Sequence, residues 1–221
     1  VTDTTLPKTL AEAGVAQEPG DQPAHYHQLD AAETTAWNML EEGAGSAKSS
    51  FHTPVLATVT PDGAPLARTV VLREASRTER LLRANTDQRS HKARDIAAES
   101  RAQLHFYDVA AKVQIRATVR AQLLTEGEQH RAAWEASVLG SRVCYLAVDA
   151  PGAPAPDPTS GLPVDADGGR RVSAERLEDG YANFAIMRFH VDALDWLYLA
   201  SQGHRRAIFD YVAGTRSWVI P

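Results

Sequence analysis

From Val55 onward the hydrophobic positions recur with a period of two. VLATVT, the turn PDGAP and LARTVVLRE read as a β-hairpin in which Asp62 and Gly63 supply the turn chemistry. A strand is predicted at LLRAN, and two more at AQLHFYD and KVQIRATVRAQLL. In the last of these, Val113, Ile115, Ala117, Val119 and Ala121 alternate with polar residues, so one face is buried. ANFAIMRFHV, LDWLYLA, RRAIFDYV and TRSWVI are aromatic and β-branched runs of strand length.

Helical spacing appears in three short stretches. Asp30 and Glu33 make a capping-box pattern ahead of Ala36, Trp37 and Leu40, and Gly43 and Gly45 are expected to stop that helix. Ser90 is placed as the N-cap of SHKARDIAAES, with Ala93, Ile96 and Ala97 on one face. Thr125 and Glu128 form a second capping box before HRAAWEAS. The pattern predicts a mainly β (α+β) antiparallel domain of at least seven strands with a few short peripheral helices, closed or partly closed into a barrel. Regular strand-helix-strand alternation is missing, which argues against a Rossmann sheet.

Residues 1–28 are polar, with few large apolar groups, and read as an N-terminal arm; residues 29–221 form the domain. Within it, residues 149–172 concentrate Pro and Gly and are expected to be a long loop. A formal net charge of -5 offers no basic field for nucleic acid or an anionic membrane. The single cysteine, Cys144, excludes an intrachain disulfide, and no run of apolar residues is long enough to span a bilayer. The opening VTDTTLPKTLAEAG lacks the order of a signal peptide, and the expected location is cytoplasmic. His25 and His27 are a weak metal pair without a nearby carboxylate cluster, and no metal site is assigned.

Two constellations carry chemistry. Arg68 falls in an apolar row with Leu66, Val70 and Leu72, where a guanidinium either has a fixed partner or reaches to water at a rim. Thr86, Ser90, His91 and Lys92 gather at a helix start, which is either a phosphate site or a solvated helix end.

Together these segments resemble the pyridoxamine 5'-phosphate oxidase family and its FMN-binding split-barrel relatives. The similarity runs through PVLATVTPDGAPLARTVVLRE, ANTDQRSHKARDI, KVQIRATVRA, DWLYLASQGHRRAIFDY and TRSWVIP, roughly residues 53–221. The resemblance implies a split β-barrel, an FMN cofactor, a homodimer with the flavin at its interface, and oxidoreductase activity on a small-molecule substrate. By the same resemblance Arg68, Thr69, Val70, Val71, Leu72 and Arg73 line the flavin, and Thr86, Ser90, His91 and Lys92 hold its phosphate. His91 stands where the family usually has Arg. Lys112 or Gln114 is the nearest equivalent of a Gln against the flavin. Trp196 lies near the place of a flavin-flanking Trp. Arg206 falls on the flavin side and Arg205 is a substrate candidate.

Further departures fall at the substrate end: Ala133 and Ser137 stand near the places of a phosphate-binding Tyr and Arg, and Arg73 replaces a Lys. The alternatives are a non-catalytic flavin- or haem-binding split-barrel protein, with His204 as the haem ligand candidate, and a true pyridoxamine 5'-phosphate oxidase with an altered substrate-phosphate site.

Overall fold

The computed structural model describes residues 22–221. Nine strands form one antiparallel sheet: β1 (Val55–Val59), β2 (Pro65–Thr69), β3 (Leu72–Ser76), β4 (Leu81–Asp87), β5 (Arg101–Asp108), β6 (Val113–Leu124), β7 (Phe184–Tyr198), β8 (Arg205–Asp210) and β9 (Thr215–Val219). Five helices decorate it: α1 (Leu29–Gly45), α2 (His91–Ala98), α3 (Glu128–Ala136), α4 (Leu139–Arg142) and α5 (Ala174–Leu177). Most of the 1–28 arm lies outside the described residues.

The strand order β2-β1-β5-β6-β7-β4-β3 puts β2 and β3 at opposite ends of the hydrogen-bonded path, yet only Val70 and Val71 separate them in sequence. The sheet therefore curls until its two edges meet through covalent chain instead of a ladder. This is why the predicted strand LARTVVLRE is divided. Its first half pairs with β1 and its second half, after a register break between Leu72 and Glu74, pairs with β4. Bulges of this kind sharpen bending where a barrel turns its corner.

The runs ANFAIMRFHV and LDWLYLA, expected as separate strands, join in the 15-residue β7. Along one edge β7 pairs with β6; along the other, its first half pairs with β4 and its second half with β8. Asp192 is skipped in the β6 register at the changeover, and Arg120 fixes it there with Nε 3.0 Å from both carboxylate oxygens.

The alternation of β6 is realised: Val113, Ile115, Ala117, Val119 and Ala121 are all buried in one core with Leu104, Phe106, Phe189, Leu194, Trp196 and Phe209. Helix α1 covers this core with Ala32, Ala36, Trp37 and Leu40. Gly43 does not end α1 but lies inside it. A Cβ at that position would sit 2.7 Å from Phe51 Cβ, so glycine lets the helix rest directly on the Ser50–His52 turn.

Neither capping box caps. The N-cap of α1 is Gln28, without a side-chain bond, and Glu33 instead accepts from Tyr211 Oη at 2.9 Å. Gly127, at φ +92°, turns the chain out of β6 so that Glu128 becomes the first helical residue of α3. Thr125 is then too early to reach the free N–H groups. A second cluster, Trp134, Tyr145, Phe184 and Ile186, anchors α3 to β7 beside the main core.

Candidate functional site

Arg68 has a fixed partner. Its Nη1 donates to Thr58 Oγ1 at 2.6 Å, and its Nη2 lies 3.5 Å from Asp95 Oδ2, which also accepts from Thr58 at 2.8 Å. Asp95 is buried on α2, so this cluster docks the helix against β1 and β2. A quarter of the Arg68 side chain stays exposed, at 24%. Burial lowers the Arg68 pKa while Asp95 raises it.

Lys92, in the first turn of the same helix, is half-buried and has no hydrogen-bond or ion-pair partner among the described residues. Burial, and then the positive charge of Arg68, lower its pKa. Asp87 works in the opposite direction, but its carboxylate is occupied by Arg89: Oδ1 accepts from the Arg89 backbone N–H at 2.8 Å and Oδ2 from Nη2 at 2.7 Å.

Ser90 occupies the N-cap position of α2 with extended backbone but makes no cap bond. Its hydroxyl lies 3.2 Å from that of Thr86, both groups being buried. The result is two cations and two hydroxyls around the free N–H groups of a helix start. The helix dipole and both side-chain charges favour negative charge at such a place.

His91 is exposed, and its imidazole lies against the Pro/Gly loop: a Cβ on Gly152, at φ +91°, would sit 3.1 Å from Nε2. Arg89, which sequence reasoning missed, ties that loop down, donating to the carbonyls of Ala147 and Val148 at 3.0 and 3.1 Å. Its neighbour Ser90 carried the signal; Arg89 itself follows no periodicity that marks it.

The remaining candidates divide by face. Leu72 and Val70 are buried, so only their backbone can meet a ligand, whereas Thr69 and Arg73 are exposed and Val71 is partly so. Gln114 and Arg206 both flank Leu197 in the register, on the outer face of β6 and β8. Arg206 is gripped by Asp195, with Nε–Oδ1 3.0 Å and Nη2–Oδ2 2.7 Å, and this bonding raises its pKa. Arg116 binds the same carboxylate from β6. Trp196 points inward and is fully buried, and its indole N–H has no acceptor among the described residues. Arg205 lies over the Tyr26 ring at 3.9 Å, and Tyr26 Oη donates to Gly203 O at 3.0 Å. His204 is exposed.

One chain thus brings the Thr86 and Ser90 hydroxyls together and sets Lys92 close enough to Arg68 for their charges to interact. No hydrogen bond or ion pair among the described residues joins them to the Gln114–Arg206 group.

Comparison with known proteins decides what kind of domain this is. Residues 34–125, from within α1 to just past β6, match the family model described as pyridoxamine 5'-phosphate oxidase, FMN-binding domain. Over these residues the chain is similar to a pyridoxamine 5'-phosphate oxidase-type FMN-binding domain. The match contains Arg68, Thr86, Ser90 and Lys92, and the cofactor of this domain family is FMN.

Solved structures extend the likeness over most of the chain. A pyridoxamine 5'-phosphate oxidase-related, FMN-binding protein from Nostoc punctiforme is 22% identical, with a TM-score of 0.63 over 85% of this chain and 96% of that one. PhzG from Burkholderia lata, solved with tetrahydrophenazine-1-carboxylic acid, is 16% identical, with a TM-score of 0.62 over 93% and 98%. A general stress protein 26-related protein from Clostridium acetobutylicum is 8% identical, with a TM-score of 0.51 over 85% and 99%. These likenesses establish the split-barrel fold. No curated protein sequence matches the chain significantly.

Proposed function

We propose that the chain binds FMN as a homodimer and works as a flavin-dependent oxidoreductase on a small-molecule substrate. The observation that carries this reading is Lys92: a half-buried ammonium without an anion, held beside a second cation, Arg68, at a helix start. Two like charges brought together at such a place are destabilising unless a ligand compensates them. A phosphate monoester supplies the charge and the acceptor oxygens for both side chains, the Thr86 and Ser90 hydroxyls and the α2 N–H groups. The residues present therefore fit the FMN phosphate.

When bound, the flavin supplies hydride or electron transfer at its ring. The chain's own part is binding, orientation and electrostatics. Arg68 and Lys92 hold the phosphate, and the chain from Thr69 to Leu72 runs from that end toward Arg73. The exposed Arg73 guanidinium provides positive charge where the ring would gain negative charge.

A dimer completes the site. The outer face of β1, β2 and β5 shows Val55, Ala57, Val59, Ala67 and Tyr107, with Val55, Val59 and Tyr107 37–41% exposed, an apolar surface suited to a second copy. Gln114 and Arg206 continue that face, so a second copy docked there brings its own set toward the first copy's phosphate site. A cytoplasmic location fits the single cysteine.

Pyridoxamine 5'-phosphate is disfavoured as the substrate. Ser137 Oγ donates to Ala133 O at 2.8 Å and faces Asn85 Nδ2 at 3.4 Å, and Ala133 offers no polar group.

The test is a fluorescence titration of FMN against riboflavin, which lacks the phosphate. FMN is expected to bind at least about tenfold more tightly, and Lys92→Ala to narrow that gap. Equal affinity for the two flavins contradicts the assignment of the phosphate site. Pyridoxamine 5'-phosphate with oxygen is expected to give no turnover in the FMN-loaded protein.

A further inference from the structure

Arg83 of β4 and Arg188 of β7 stand directly opposite each other in the ladder, in a row that runs Glu74, Arg83, Arg188, Gln122 across four strands. Like charges at opposed positions are unfavourable unless each finds a partner. Arg83 has one: Nε donates to Glu74 Oε2 at 2.7 Å and Nη1 to Asn85 Oδ1 at 3.0 Å. Arg188 does not. Its Nη1 donates to the neutral Gln129 Oε1 at 2.9 Å, and its Nε is buried with no acceptor among the described residues.

The edge left unfilled, Nε with Nη2, is the one that takes a carboxylate side-on. In this same chain that edge of Arg206 holds Asp195 at 3.0 and 2.7 Å, and that edge of Arg101 holds Glu99 at 3.0 and 2.7 Å. Beside Arg188 a cleft of about 360 Å³ opens between α3 and the outer face of β3, β4 and β7. Ala132, Ala133 and Ala136 of α3 line one wall, where larger side chains would fill the space, and Leu81 and Ile186 add apolar surface.

We infer that this cleft binds a small organic carboxylate with an apolar body. The carboxylate pairs with Arg188 at its unfilled edge, next to Arg83, and the body lies against the alanines of α3. Glu74 and Glu79, which also line the cleft, balance the two guanidiniums overall; since Glu74 is taken by Arg83, the local positive charge left for a ligand is that of Arg188, which suits a monoanion and opposes a phosphate dianion. The cleft is separate from the phosphate site around Lys92, and Ala133, which borders it, is the one residue it shares with the substrate end of the family pattern. Arg83 and Asn85 project to the side of β4 opposite Thr86, away from Lys92.

Saturation-transfer NMR with benzoate as the probe, and benzamide as its uncharged twin, tests the inference on the full chain. Benzoate is expected to bind the wild type, with affinity reduced about tenfold or more for benzamide and for Arg188→Gln, which keeps a donor but removes the charge. Ala136→Leu, which fills the cleft and leaves both arginines in place, is expected to abolish benzoate binding even if Arg188→Gln should not fold. Benzamide binding as well as benzoate, benzoate binding unchanged in either variant, or no saturation transfer from the wild type at millimolar probe would each overturn it.

Discussion

Arg68 and Asp95 form the ion pair that joins β2 to α2, with Nη2 3.5 Å from Oδ2 and the Thr58 hydroxyl bonded to both partners. Asp95 is the only one of these groups that carries negative charge, and it is the counterion of Arg68, whose positive charge in turn lowers the pKa of Lys92. Removing that charge should have two separable effects. Asp95→Asn is expected to lower the stability of the flavin-free protein by about 1–2 kcal/mol, a value below that of a fully buried pair because Arg68 is partly solvated. It should also enlarge the rise in melting temperature produced by added FMN, since the phosphate then becomes the principal counterion. An unchanged or smaller FMN-induced shift in the variant would count against a phosphate between these cations.

Arg89 spans from Asp87 to the carbonyls of Ala147 and Val148, and so fastens the start of the Pro/Gly loop next to the helix that carries Lys92. Arg89→Ala is expected to speed limited proteolysis and amide exchange within residues 149–161 severalfold, with the strands unaffected. Uniform acceleration across the sheet would show instead that Arg89 supports the whole fold.

How much of this was legible beforehand differs from element to element. Strand β6 was read correctly because one face meets the core and the other meets solvent, so its burial follows a strict period of two. The division of LARTVVLRE was hidden for the converse reason. Val70 and Leu72 are buried on both sides of the corner, and hydrophobicity carries no mark of which neighbour a strand pairs with. Long β7 was split in the reading because Asp192 interrupts its pattern, yet the interruption is only a bulge held by Arg120. At the site, the Ser90 and Lys92 cluster could be seen from local sequence. Asp95 as the partner of Arg68 could not, since they meet through packing of α2 on β1 and β2, and neither could the loop clamp of Arg89.

Gly43 sets two effects against each other. In a solvated helix interior, Gly→Ala stabilises by about 1 kcal/mol. Here the new methyl would lie 2.7 Å from Phe51 Cβ and 2.8 Å from its carbonyl carbon, and backbone cannot rotate away. Gly43→Ala is therefore expected to destabilise the protein by about 1–3 kcal/mol, read from urea denaturation. A gain in stability would mean that α1 does not press on the Ser50–His52 turn.

His25 stands edge-on to Trp196 and Tyr198, at ring-centroid distances of 5.5 and 4.9 Å, and its buried Nε2 has no partner among the described residues. Burial holds its pKa below the ordinary 6.5. The folded state therefore binds the proton less readily than the unfolded chain, and stability contributed by the neutral ring is lost as pH falls from about 6.5 toward the lower folded value. Melting temperature should decline over that interval in the wild type more steeply than in His25→Phe. Parallel curves would remove His25 as the source.

The most direct test of the central claim is the absorption spectrum of the protein after incubation with excess FMN and removal of free flavin, beside an Arg68→Ala, Lys92→Ala double variant. The account predicts flavin bands retained by the wild type and lost by the variant, with both proteins folded by circular dichroism. A colourless wild type, or a variant that keeps the flavin bands in full, would contradict it.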